Sequence, residues 1–208
     1  MSLNTWVLGV FATVFALSNG VIDVVDALFI QSFVSMQLVE FFLWRAIDSG
    51  GSTRVASMAG LSLIAVQPVL SAARLLMPGQ SPALGAALLA AYSLPCVLFA
   101  LRAGPIVFET TVGSSGHLQW EWLRVDTLVV AAWAAVLIAP MLFLSPRWLN
   151  LSAAAFVLGT LLVSCYFGWR DGSWGTIWCW VAAAVSFKLI VQVFWKDVCV
   201  RSHLGLAE

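Results

Sequence analysis

Apolar residues run along this chain in long blocks separated by short polar breaks. A helix needs about 20 predominantly apolar residues to cross the hydrocarbon of a bilayer. Seven stretches reach that length, at 5–25, 26–46, 54–76, 81–101, 125–144, 149–170 and 174–195. A transmembrane barrel would instead alternate in and out over segments of about ten residues. The pattern therefore predicts an all-α, polytopic integral membrane protein: one bundle of seven transmembrane helices, with 1–208 as a single domain. No repeat or linker divides it. The breaks Asp48–Thr53, Met77–Pro82, Leu144–Arg147 and Arg170–Ser173 carry the Gly, Pro, Ser and Asp of turns. The first boundary is harder. Asn19-Gly20 is a turn signal, but turning there leaves the first span too short to cross, so the turn is expected at Asp23–Asp26, where two acids reach water.

One connection is long, the surface loop 102–124. Loops of this length without structure of their own are uncommon unless functional. The β-branched and aromatic run 107–112, the turn Gly113–Gly116 and then "HLQWEWLR" predict a short hairpin on the membrane surface. Trp120 and Trp122 alternate with Gln119 and Glu121, so one face looks toward headgroups or toward protein. The loop, with His117, Trp120 and Trp122, is either an interfacial anchor or a lid over the bundle.

Composition sharpens the class. The chain is 62% hydrophobic and 10% charged, with a mean hydropathy of +0.97, whereas soluble domains carry about 25% charged residues. Ten basic residues balance ten acidic ones and form no stripe, so nucleic acid is excluded as a partner. The bilayer is the expected partner, with a homo-oligomer or a larger membrane complex also compatible. Which membrane holds it is not legible. No basic start marks a signal peptide, and the apolar pattern continues past Ala16–Ser18. With seven crossings, Arg45, Arg54, Arg102, Arg124 and Arg170 fall on one side, here end A. Arg74, Arg147, Lys196 and Arg201 fall on end B, a bias too small to orient the bundle.

Cys96, Cys165, Cys179 and Cys199 form no metal-ligand spacing, and the three that lie in apolar segments serve as small hydrophobes. Both histidines, His117 and His203, lie outside the spans, which excludes an axial haem or chlorophyll ligand there. Many of the eleven tryptophans sit near span ends, as belt residues do, and a few are candidates for the wall of a pocket.

Intramembrane polar groups are costly and usually face the bundle interior. At 1.5 Å per residue, Lys188 lies about 20 Å from end A and about 10 Å from end B. Asn19, Gln31 and Gln67 fall at the same depth, and Gln192 lies one turn beyond Lys188. Nearer end A, Gln37, Glu40 and Trp44 share one helix face, at i, i+3 and i+7, with Cys165 and Tyr166 at similar depth. Glu40 and Lys188 differ in depth by more than about 10 Å, so Lys188 is expected to reach toward Asp23 or Asp26 rather than Glu40. Lys188 is thus a snorkelling anchor, a network member, an ion gate or a Schiff-base site.

No catalytic triad, P-loop, dinucleotide fingerprint or HExxH occurs, so an enzyme is not expected. The layered polar groups point to an ion or proton channel or a small-solute transporter, with Glu40 carrying a proton or attracting a cation. The alternatives are a non-catalytic accessory subunit of a larger membrane complex and a pigment-binding protein. A lysine in the last of seven spans resembles retinal proteins, which implies retinal bound at Lys188. That resemblance is partial: span 3 has no carboxylate to serve as counterion, and Ala184 stands where an aspartate precedes the lysine. Three further stretches, "MQLVEFFLW" (Met36–Trp44), "GHLQWEW" (Gly116–Trp122) and "GSWGTIWCW" (Gly172–Trp180), resemble an uncharacterised seven-span family of algae and large DNA viruses. That resemblance implies a seven-helix fold and no particular activity. The chain departs from the family pattern at Ala182–Ala184, where an asparagine is expected.

Overall fold

A computed structural model describes residues 2–102, 107–114, 116–124, 127–145, 147–170, 172–179 and 191. It is a helical bundle with one small hairpin. Helix α1 spans Ser2–Ser18. It stops at the Asn19-Gly20 signal, because Gly20 adopts φ 60°, which costs glycine nothing. Gly20 N donates to Leu17 O (3.0 Å) and Val21 N to Ala16 O (2.9 Å), the paired bonds of a Schellman end. The turn expected at Asp23–Asp26 therefore falls earlier. Satisfying these carbonyls locally outweighs helix length, and α1 is only about 26 Å long.

Helix α2 spans Val24–Asp48. Asp23 caps it, its carboxylate accepting from Asp26 N at 2.8 Å. Helix α3 spans Arg54–Ala73 and tightens into a 3-10 turn over Arg74–Leu76. Pro68 within α3 lacks the N–H that would bond Ile64 O. Trp133 supplies the donor instead, its Nε1 lying 3.0 Å from Ile64 O. Trp133→Phe keeps most of the packing but strands that buried carbonyl, so it is expected to destabilise the protein by about 1–3 kcal/mol. A thermal-unfolding midpoint in mild detergent checks it.

Helix α4 spans Pro82–Arg102 and lies outside, against α3 and α5. Strands β1 (Thr110–Val112) and β2 (Leu118–Trp120) pair antiparallel, with Thr110 opposite Trp120, and a 3-10 turn follows over Glu121–Leu123. Helix α5 spans Thr127–Ile138 and continues as a 3-10 turn over Ala139–Leu142, which contains Pro140. Ser71 of α3 donates to Leu137 O at 2.7 Å, satisfying a carbonyl near that change of winding. Helix α6 spans Arg147–Gly168 and α7 spans Trp174–Trp178.

Among the described residues, four helices are long and apolar enough to cross a membrane: Val24–Asp48, Arg54–Leu76, Pro82–Leu101 and Asn150–Gly168. Leu3–Ser18 and Thr127–Leu142 are apolar but shorter. Most of the expected seventh span lies outside the described residues. Large apolar side chains face outward on α1 (Val7, Phe11, Val14), α4 (Leu94, Val97, Leu101) and α6 (Leu162, Val163, Phe167).

At end B, Arg74 ties three helices together. Its Nε sits 2.5 Å from Asp26 Oδ1, its Nη2 3.4 Å from Asn150 Oδ1, and its guanidinium lies over the Phe29 ring at 5.3 Å. Side-chain exposures of 17% and 26% place the Arg74–Asp26 pair between buried and surface behaviour. Arg74→Ala is expected to cost about 1–2 kcal/mol, and an Asp26→Ala background should remove most of that loss. A double-mutant cycle on thermal midpoints reads this coupling.

Candidate functional site

The centre of the bundle is built where α2, α3, α7 and the hairpin meet. On α2, the spacing of Gln37 and Glu40 puts both on the face toward α7, and both are buried. Gln37 Nε2 donates to Cys179 O at 2.9 Å. The Cys179 thiol lies beside the Glu40 carboxyl. Glu40 Oε1 meets no partner among the described residues, although Glu40 is only 7% exposed.

The hairpin closes this centre at end A. Trp120 and Trp122 do not lie on a headgroup surface; both are buried, stacked with ring centroids 5.0 Å apart. Two glycines make room for them. A Cβ on Gly60 of α3 would stand 3.0 Å from Trp122 Cζ2, and one on Gly175 of α7 would stand 2.7 Å from Trp120 Cζ3. Hydrogen bonds hold the plug in place. Ser57 Oγ lies 2.8 Å from Thr110 Oγ1, Thr110 N donates to Thr53 Oγ1 at 3.0 Å, and Thr176 Oγ1 donates to Leu118 O at 2.9 Å. His117 is half-buried just after the hairpin turn, where its carbonyl accepts from Gly113 N.

Beneath the plug lies a small cavity of about 20 Å³, room for about one water. Gln67, Trp120, Trp133, Trp174, Trp178 and Cys179 help to line it. Trp133 and Trp178 meet edge to face at 5.4 Å. Gln67, 1% exposed, donates from Nε2 to Ser32 O at 3.4 Å, and its Oε1 meets no partner among the described residues. Gln31 is half-buried on α2, and its Nε2 is likewise unmet.

Other expected members fall elsewhere. Asn19 is exposed at the end of α1, where its Nδ2 donates to Phe15 O, because the turn comes earlier than the depth arithmetic assumed. Tyr166 points outward at 83% exposure. Asp26 is engaged by Arg74, and Asp23 caps α2. Lys188 and Gln192 lie outside the described residues, and retinal attachment lies there with Lys188. Trp174, which opens the expected last span, is buried against the cavity. Cys179, expected to be a small hydrophobe, is buried in the apolar core, and its carbonyl accepts from Gln37. Among the described residues, no group of three or more His, Cys, Asp or Glu gathers to hold a metal.

The three tryptophan-bearing stretches converge here. Met36–Trp44 supplies Gln37 and Glu40, Gly116–Trp122 supplies the plug, and the stretch from Gly172 supplies Gly175, Thr176 and Cys179. No protein-family model, curated protein or solved structure matches the chain.

Proposed function

We propose that this chain is a multi-pass membrane protein, a seven-helix bundle that passes protons or small cations through the polar centre around Glu40. The hairpin plug closes that route at end A, and the Arg74–Asp26 pair pins its helices at end B. The observation that carries the reading is Glu40 itself. Its carboxyl is buried and keeps one oxygen without a partner among the described residues. An unmet buried polar atom costs about 1–3 kcal/mol, and purely structural glue would engage both oxygens. Intramembrane ionisable groups characteristically mark ion paths and proton relays. The outward apolar faces of α1, α4 and α6 suit lipid contact. The tryptophan-bearing stretches that resemble the seven-span family all contribute to this centre.

The test is proton flux into proteoliposomes carrying a pH-sensitive dye. Wild-type protein should acidify the lumen faster than empty liposomes, and Glu40→Gln should not. Equal rates for wild-type and empty liposomes would overturn the reading.

A second reading, an accessory subunit of a larger membrane complex, is favoured by α4. Only 6% of its apolar stretch is buried within the molecule, which leaves a whole helix for a neighbouring protein. Stoichiometric co-purification in mild detergent separates this from lipid exposure.

A further inference from the structure

Gln67 and Trp120 are each 1% exposed, come from α3 and from the plug, and line the same small cavity. Each keeps one buried polar atom, Gln67 Oε1 and Trp120 Nε1, that no described group meets. The orientation of the Gln67 amide is not arbitrary. Its Nε2 faces the Ser32 carbonyl, an acceptor, so reversing the amide would set two acceptors against each other. The oxygen is therefore the atom left needing a donor. Trp120 Nε1–H can only donate, so it needs an acceptor. A water supplies both. The cavity, at about 20 Å³, exceeds the roughly 10–15 Å³ that one water requires.

We propose that this cavity is a binding site for one ordered water, which accepts from Trp120 Nε1–H and donates to Gln67 Oε1. Cys179 lines the same cavity. The water stitches the plug to α3 across two otherwise unmet groups, whether or not the protein conducts ions.

Solid-state NMR of the full chain in lipid, with ¹⁵N-labelled tryptophan, tests this by water-to-indole magnetisation transfer. The Trp120 resonance is identified as the one lost in Trp120→Phe, and the exposed Trp169 is the positive control. The expected result is transfer to Trp120 Nε1–H in wild-type protein and its loss in Gln67→Leu, with the Trp120 resonance itself retained. Transfer to Trp169 without transfer to Trp120 in wild-type protein overturns the proposal. So does transfer to Trp120 that persists undiminished in Gln67→Leu. If Gln67→Leu does not fold, the wild-type spectrum alone decides.

Discussion

Replacing Gly175 by alanine is expected to unseat the hairpin from the bundle. The added Cβ would lie 2.7 Å from Leu123 Cδ2, 2.7 Å from Trp120 Cζ3 and 2.8 Å from Trp120 Cε3. Leu123 has some freedom to rotate, but Trp120 is buried and stacked on Trp122, so its ring has nowhere to go. Overpacking of this kind costs about 1–3 kcal/mol. Alanine recovers up to about 1 kcal/mol through its better helix propensity, which is too little to reverse the sign. The cheapest relief is for the plug to lift, since it is held by only a few hydrogen bonds. Limited proteolysis should therefore cut near 107–124 faster than in wild-type protein, and tryptophan emission should shift to the red. Gly60→Ala should act the same way but more weakly, because its closest approach is 3.0 Å, to the ring edge of Trp122. A Gly175→Ala protein with unchanged cleavage and emission would mean that the plug is not seated on α7.

The second large effect concerns Glu40. Glu40→Gln preserves shape and hydrogen-bonding capacity beside Gln37 and Cys179 but removes the group that can carry a proton. Flux in proteoliposomes is expected to fall by about tenfold or more, since an ionisable carrier cannot be replaced by an amide. Glu40→Asp keeps a carboxyl one methylene back and should retain part of the flux. If Glu40 were structural only, the pattern would invert: Gln would lower the thermal midpoint and leave flux untouched. Measuring flux and thermal midpoint on the same three proteins separates the two roles.

Much of the helix layout was legible because long apolar blocks end in strong punctuation. Gly50-Gly51 ends α2, and Pro82 opens α4 just after a Pro-Gly turn. The shared face of Gln37 and Glu40 followed directly from helical spacing. Asn19 was misplaced because membrane-crossing length was weighed above local turn chemistry, and the Schellman bonds at Gly20 settled the matter the other way. The hairpin was visible in its β-branched run and glycine turn. Its insertion was not, because alternating Trp, Gln, Trp and Glu looks the same on a membrane surface as against a protein core. What decides burial there is a pair of glycine notches, Gly60 and Gly175, far apart in the chain and silent as a pattern. Cys179 escaped notice for a similar reason: Gln37, which donates to its carbonyl, stands 142 positions away in the chain.

The most direct measurement locks the plug and asks whether transport stops. Ser57 Oγ and Thr110 Oγ1 stand 2.8 Å apart, so cysteines at both positions are within reach of a disulfide bond of about 2.0 Å. The pair is introduced with Cys96, Cys165 and Cys199 replaced by serine, and proton flux is followed before oxidation, after it, and after reduction. The account predicts flux that disappears when the hairpin is tied to α3 and returns when the bond is reduced. Absence of flux before oxidation, or flux unchanged by the tether, would contradict it.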